Sequence, residues 1–256
     1  MRSTQRTCAS RSCQVRERMK PAARVLLGAG IACGLAQAGP SVASYGPLRR
    51  AFLPALSGQG NPRHVALTFD DGPDPRSTPQ FLSALDRTGL RATFFMLGSM
   101  VDAAPRLAAE VAAAGHEIAV HGYCHRAHIL HSPQWVRDDL ARGHEAIAIA
   151  TGREPYWHRP PFGAISTGTI GACRRLDLRI VLWTSWGRDW RADATPRSVV
   201  ADLTRTGLGG ATLLLHDSDC TSAIHAWRST LGALKPLAEL VADQQLTAGP
   251  LGEHGI

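Results

Sequence analysis

Two adjacent carboxylates, Asp70 and Asp71, end the short apolar run Val65-Ala66-Leu67-Thr68-Phe69 and are followed at once by Gly72-Pro73. The run reads as a buried strand, and neighbouring side chains on a strand point to opposite faces. Asp70 and Asp71 therefore serve one site only if the strand has ended and Gly72 lets the backbone re-aim them. By itself, Asp-Asp-Gly-Pro is equally a turn with two solvated aspartates. Further along, four more chemically capable groups follow strand-like runs: His121 with His125, Arg159 ahead of Pro160-Pro161-Phe162-Gly163, Asp189-Trp190, and His216-Asp217. The His pair has helical spacing, but Gly122 and the run before it argue for a loop. A loop can still bring both rings to one ion. Two histidines and one carboxylate leave coordination positions open for water, the pattern of a catalytic zinc or a related divalent ion. His116, His128 and His131 end no strand and read as surface residues.

The segments between these groups must bring them together. Ser/Thr-Pro pairs open helical patterns at 78, 132 and 195, and Gly89 and Gly152 close two of them. Helices are expected over 78–88, 105–114, 132–150, 169–176, 195–205 and 227–242, with strands over 92–97, 117–120, 155–158, 179–184 and 212–215. Strand, helix, strand repeated in this way argues for an α/β fold with a parallel sheet, open or closed into a barrel. In a barrel the strand ends lie together on one face, and sites are built there. Residues far apart in the chain would then share a pocket.

One domain of ordinary size is expected over 64–246, preceded by a Gly-, Pro- and Ser-rich linker at 39–63 and followed by a tail at 247–256. Residues 1–38 combine a basic lead, an apolar stretch from Val25 to Leu35 and the small-residue pattern Ala36-Gln37-Ala38, which together read as a secretory signal peptide; Met19 offers an alternative start. The protein is accordingly expected to be exported, secreted or in the cell envelope, touching a membrane only through this segment if it stays uncleaved. The formal net charge is +7, but seven of the 28 basic residues and one of the 21 acidic ones lie in 1–38, leaving 21 against 20. The basic balance is thus no argument for a nucleic-acid partner. Three of the six cysteines remain beyond the signal; Cys124 and Cys220 both follow site segments and are a candidate pair, whereas Cys173 lies in an apolar helical pattern and reads as core.

Thr68 to Pro73, His121 to His125, Arg159 to Gly163, Asp189-Trp190 and Leu214-Leu215-His216, in this order, resemble the motifs of the polysaccharide deacetylase family, the family 4 carbohydrate esterases with a NodB-type domain. The resemblance implies a distorted (β/α) barrel with about seven parallel strands. It also implies a divalent metal, zinc first and cobalt possible, and hydrolysis of N-acetyl groups from chitooligosaccharide- or peptidoglycan-like polysaccharides with release of acetate. Carried over residue by residue, it makes Asp71, His121 and His125 the metal ligands, Asp70 the general base and His216 the general acid. Arg159 would hold Asp70 in place, Asp189 would tune His216, and the backbone N–H of Phe162 would meet the oxyanion. Pro161, Phe162, Trp190 and Leu214 would contact substrate. Two positions depart from the family pattern: Gly122 stands where Ser or Thr is usual, removing a hydroxyl that could brace the ligand loop, and Phe162 stands where tyrosine is more common. An O-acetyl esterase acting on a glycan such as acetyl xylan, and a catalytically silent glycan-binding module, remain the alternatives.

Overall fold

The computed structural model describes residues 34–41 and 47–256. The chain divides into units 1–35 and 36–256, and the fold below is that of the second. Most of the expected signal peptide lies outside the described residues. Among those described, no helix is long and apolar enough to cross a membrane.

Strand β1 (His64–Asp70) is buried along its whole length, and its two faces meet different surroundings. Val65, Leu67 and Phe69 face the large apolar cluster beneath the helices, while Ala66 joins a smaller cluster with Phe95, Ala119, Trp157 and Val181. The period-two alternation of a strand thus separates an outer, helix-covered face from a barrel interior. The same division recurs on β2 (Thr93–Met96), where Phe94 and Met96 are outer and Phe95 inner, and on β3 (Glu117–Val120), where Ile118 and Val120 are outer and Ala119 inner. Continued to the strand ends, the interior line of β1 runs through Thr68 to Asp70.

The remaining strands are β4 (Trp157–His158), β5 (Arg179–Ile180), β6 (Ser185–Trp186), β7 (Thr212–His216) and β8 (Thr247–Gly249). Every pairing is parallel, in the order β5-β4-β3-β2-β1-β7-β6, with β8 added beside the start of β1. Seven strands therefore curl into the incomplete barrel expected from the sequence. The single strand expected over 179–184 is instead two, because the chain crosses there from one edge of the sheet to the other. Val181 N–H still donates to His158 O on one side and Thr184 N–H to Thr212 O on the other, while Leu182 N–H is satisfied by Leu56 O. Helices Thr78–Thr88, Pro105–Ala113, Pro133–Thr151, Thr167–Arg175, Pro196–Thr204 and Trp227–Asp243 cover the outer face.

Two expected boundaries change. Residues 39–63 are not a bare tether: the short helix Pro47–Phe52 docks on the domain through Arg49 Nη2 to Trp183 O (2.8 Å) and Arg50 Nη2 to Thr184 O (2.6 Å), and the helix Pro54–Ser57 through Leu56 O, which accepts from Leu182 N–H. Nor are residues 247–256 a free tail: β8 pairs with β1, and Leu251 and His254 are fully buried beneath the barrel. Their polar spacing gave no period to read, and long-range pairing supplies the order.

Candidate active site

Strand β1 ends at Asp70, and Asp71 follows with φ 79°, so the two carboxylates leave the strand in different directions. Gly72 makes the turn possible for a steric reason: a Cβ there would meet the buried Asp217 carboxylate at 2.3 Å. In register, Asp70 lies opposite His216 of β7, both at strand ends of the same barrel face. His121 follows β3 and Arg159 follows β4, each on the interior line, and their arrival at one mouth is a consequence of the parallel sheet.

Asp71, His121 and His125 each offer a ligand atom, and these atoms lie within 4.8 Å of one another. Nε2 of His121 is 3.4 Å and Nε2 of His125 is 3.5 Å from Asp71 Oδ1. That oxygen is buried with no hydrogen-bond partner, while Oδ2 accepts from Thr221 Oγ1 at 2.5 Å. The other nitrogen of His121, Nδ1, donates to Arg159 O at 2.7 Å, which fixes the tautomer and leaves Nε2 with its lone pair toward Asp71. Burial opposes ionising Asp71, yet the neighbouring imidazoles of His121, His216 and His125 hold its carboxyl well below the ordinary range. His125 is pushed down to about 4 by burial and by His121, keeping it neutral, as ligation requires. An orphaned buried carboxylate oxygen facing two imidazole lone pairs is a donor set that fits a divalent cation.

Asp70 is held apart from this group. Arg159, fully buried, donates from Nη1 to Asp70 Oδ1 (2.7 Å) and Thr68 Oγ1 (2.8 Å) and from Nη2 to Leu182 O (3.0 Å), with its carbon 4.1 Å above the Phe95 ring. Asp70 Oδ2 remains on the cavity side, 3.8 Å from His121 Nε2. Across the mouth, Asp189 binds His216 twice: Oδ1 accepts from Nδ1 (2.8 Å) and Oδ2 from the backbone N–H (2.8 Å). Thr230 Oγ1 donates to the same Oδ2 at 2.6 Å. Burial works against an imidazolium at His216, but the charge and hydrogen bond of Asp189, with Asp71 and Asp70 behind, raise its pKa to about 10. The cavity between these groups measures about 480 Å³ and is walled by Phe162, Trp183, Trp186, Trp190 and Leu214.

Ten of the eleven residues singled out from the sequence thus surround or support one cavity. Pro161 does not line it; Pro160 does, and Pro161 is buried in the 3-10 turn Pro161–Gly163 that carries Phe162 at φ 59°. Cys124 and Cys220 are free thiols, and Cys173 is core as expected. His116 and His128 are buried, against the surface reading.

The sequence reading missed Asp139. Its Oδ2 accepts from Tyr123 N–H and its Oδ1 from Cys124 N–H, both at 3.0 Å, bracing the ligand loop where Gly122 lacks a hydroxyl. Gly122 has φ 99°, and a Cβ on it would lie 2.9 Å from Asp139 Oδ2, so the glycine and the carboxylate exclude a larger residue together. The signal was present: Asp139 occupies the buried stripe Val136, Asp139, Leu140, Gly143, Ile147 of the helix Pro133–Thr151, where a charge has no solvent. Thr221, Trp183 and Trp186 carried no such signal.

The family model described as polysaccharide deacetylase matches residues 57–181. Over 179 residues the chain is 35% identical to a Bacillus cereus protein named peptidoglycan-N-acetylglucosamine deacetylase, spanning 68% of this chain and 83% of that one. It is 34% identical to a Bradyrhizobium protein named chitooligosaccharide deacetylase, spanning 60% of this chain and 71% of that one. A Listeria monocytogenes relative is longer, and the match covers 34% of its length. Among solved structures, a family 4 carbohydrate esterase from Streptomyces lividans, in complex with acetate, superposes with a TM-score of 0.65 at 32% identity, covering 74% of this chain and 92% of that one. The motif order, the curled parallel barrel and these relatives agree, and the chain belongs to the polysaccharide deacetylase family.

Proposed function

We propose that the protein hydrolyses N-acetyl groups from an amino-sugar glycan of chitooligosaccharide or peptidoglycan type, releasing acetate, with a divalent metal held by Asp71, His121 and His125. The observation that carries this reading is the separation of labour between adjacent aspartates. Asp71 Oδ1 faces two imidazoles, while Asp70 is held by Arg159 through Oδ1 and keeps Oδ2 toward the cavity, 3.8 Å from His121 Nε2. The chemistry supplied by a bound divalent ion is Lewis acidity, which polarises the acetyl carbonyl and makes water a nucleophile at neutral pH. The donor set of one carboxylate and two imidazoles suits zinc, and cobalt can replace it.

The chain's own residues do the rest. Asp70 Oδ2 takes the proton of the attacking water, since Oδ1 is occupied by Arg159 and the free oxygen faces the cavity. His216 presents Nε2, its Nδ1 being tied to Asp189, and a proton held there with a pKa near 10 stays on at neutral pH until the leaving amine claims it. The backbone N–H of Phe162, at the rim, is assigned to the developing oxyanion. Leu214, buried at the cavity wall, and Trp190 offer an apolar surface suited to the acetyl methyl group. Export through residues 1–38 would place this chemistry outside the cytoplasm, where such polymers are found.

The test is acetate release from N-acetylglucosamine oligomers, from peptidoglycan fragments and from acetyl xylan, measured side by side. Preferential release from the two N-acetylated substrates supports the assignment. Preferential release from acetyl xylan would transfer the same machinery to ester substrates.

A further inference from the structure

Beside the cavity, and sharing Trp183 and Trp186 with it, lies a second groove of about 220 Å³ whose charged lining is Arg49, Arg50, Arg188, Arg205 and Asp202. Four guanidiniums face one carboxylate. Arg205 is paired to Asp202. Arg49 is anchored on Trp183 O and Ser57 Oγ, and Arg50 spends one nitrogen on Thr184 O, a neutral acceptor that fixes the side chain without cancelling its charge. Arg188 is exposed and makes no hydrogen bond or ion pair with any described residue.

Arg188 is also held in an unusual backbone conformation, φ 48°, between two fixed points. Gly187 N–H donates to Leu214 O, and Asp189 is clamped by His216 and Thr230. A non-glycine residue in the left-handed region is costly unless its surroundings over-determine it, and such outliers gather at ligand sites. The turn that aims Asp189 at His216 therefore also delivers Arg188 to the neighbouring groove. Trp186 and Trp190, partly exposed with ring centroids 5.9 Å apart, form a continuous aromatic wall from the cavity to this groove. Amphipathic rings of this kind offer an apolar face with a polar edge, the surface a sugar ring presents in complement.

Resting on the deacetylase reading, we infer that this groove binds a carboxylate carried by a sugar next to the one deacetylated, through Arg188 and Arg50, so that the preferred substrate is an anionic rather than a neutral glycan. Guanidinium is the group suited to this: it is always charged, and its planar fork matches a carboxylate in two parallel hydrogen bonds. Arg50 comes from the short helix Pro47–Phe52, so the segment before the barrel helps select the substrate.

The experiment compares kcat/KM for acetate release on three oligomers of equal length: neutral N-acetylglucosamine, alternating N-acetylglucosamine and N-acetylmuramic acid with free lactyl carboxylates, and the latter amidated. The parent is expected to prefer the carboxylated oligomer by about tenfold over its amidated form, with the preference shrinking as salt rises. Arg188→Gln and Arg50→Gln should each lose most of that preference while acting on the neutral oligomer within about twofold of the parent. Equal rates on the carboxylated and amidated oligomers, or an equal loss on all three in the variants, would overturn the inference. If no oligomer releases acetate, it is the deacetylase reading that fails. The groove is then judged by calorimetric binding of the same oligomers, where tighter binding of the carboxylated form, lost in Arg188→Gln, supports it and equal binding refutes it.

Discussion

Asp70→Asn removes one charge and almost no volume, and the structure gives that change two separable consequences. Arg159 is 0% exposed, and its Nη1 is 2.7 Å from Asp70 Oδ1. Deleting one member of a buried pair leaves the other charge uncompensated, at a cost of about 3–5 kcal/mol. For a domain of this size each kcal/mol moves the melting temperature by about 2–4 °C, so a fall of about 6–20 °C is expected. Asp70→Asn combined with Arg159→Met removes both charges and should recover much of that loss. Recovery is incomplete because Leu182 O then loses its donor, at about 1–3 kcal/mol, whereas Thr68 Oγ1 keeps its bond to Leu213 O. Turnover should be down by about 10²–10⁴ in both variants, since the double variant restores stability without restoring a base. Thermal unfolding followed by circular dichroism, with acetate release on the same samples, reads both quantities. A single variant melting with the parent would show that Arg159 does not depend on this partner, and a double variant regaining turnover would show that Asp70 is not the base.

Other perturbations test other parts of the site. His125→Ala should abolish metal binding and turnover together, whereas Trp190→Ala should raise KM by about tenfold and leave metal binding intact; isothermal titration with zinc separates them. Asp139→Ala leaves the Tyr123 and Cys124 N–H groups without acceptors and should weaken metal affinity by about 10–100-fold with Asp71, His121 and His125 all present. Gly122→Ser, although it restores the hydroxyl usual in the family, should destabilise the protein by about 1–3 kcal/mol, because φ 99° and the 2.9 Å approach to Asp139 penalise any Cβ. Acid should destabilise the fold as well. Burial holds His254 and His116 down at about 4 and His128 at about 3, so the folded state resists protons that the unfolded chain accepts below about pH 6.5. From there stability should fall toward pH 4, as read from urea midpoints, and His254→Asn should flatten part of that slope; above it, His216, protonated in the fold up to about pH 10, should make stability decline as pH rises.

Much of this site is legible in the sequence because a parallel barrel gathers strand ends, so that Asp70, His121, Arg159 and His216 need only terminate strands to meet. Their chemical types then divide the labour. What the sequence does not expose depends on contacts between distant segments. Thr221 reaches Asp71 from 150 positions away, and β8 exists only because β1 offers it an edge. The crossing at 181–184 looks like continuous strand because most of its residues are apolar, while its N–H groups go in turn to β4 (Val181 to His158), to Leu56 outside the sheet, and to β7 (Thr184 to Thr212). His128 shows no surface or core pattern in its own loop; it is buried beside His158, ring centroids 5.6 Å apart, with Nδ1 on Thr169 Oγ1. Asp139 was readable as a charge on an apolar stripe, and Gly122, earlier in the loop after β3, gave the reason a brace was needed.

The central claim is that one ion, held by Asp71, His121 and His125, is required for the removal of acetyl groups from a glycan. The most direct measurement is acetate release from N-acetylglucosamine oligomers by protein stripped with chelator, then titrated with zinc or cobalt while bound metal is counted. The account predicts no release from the stripped protein and recovery that rises in proportion to metal until one ion is bound per chain. Full release by the stripped protein, or one ion bound without any release, would contradict it.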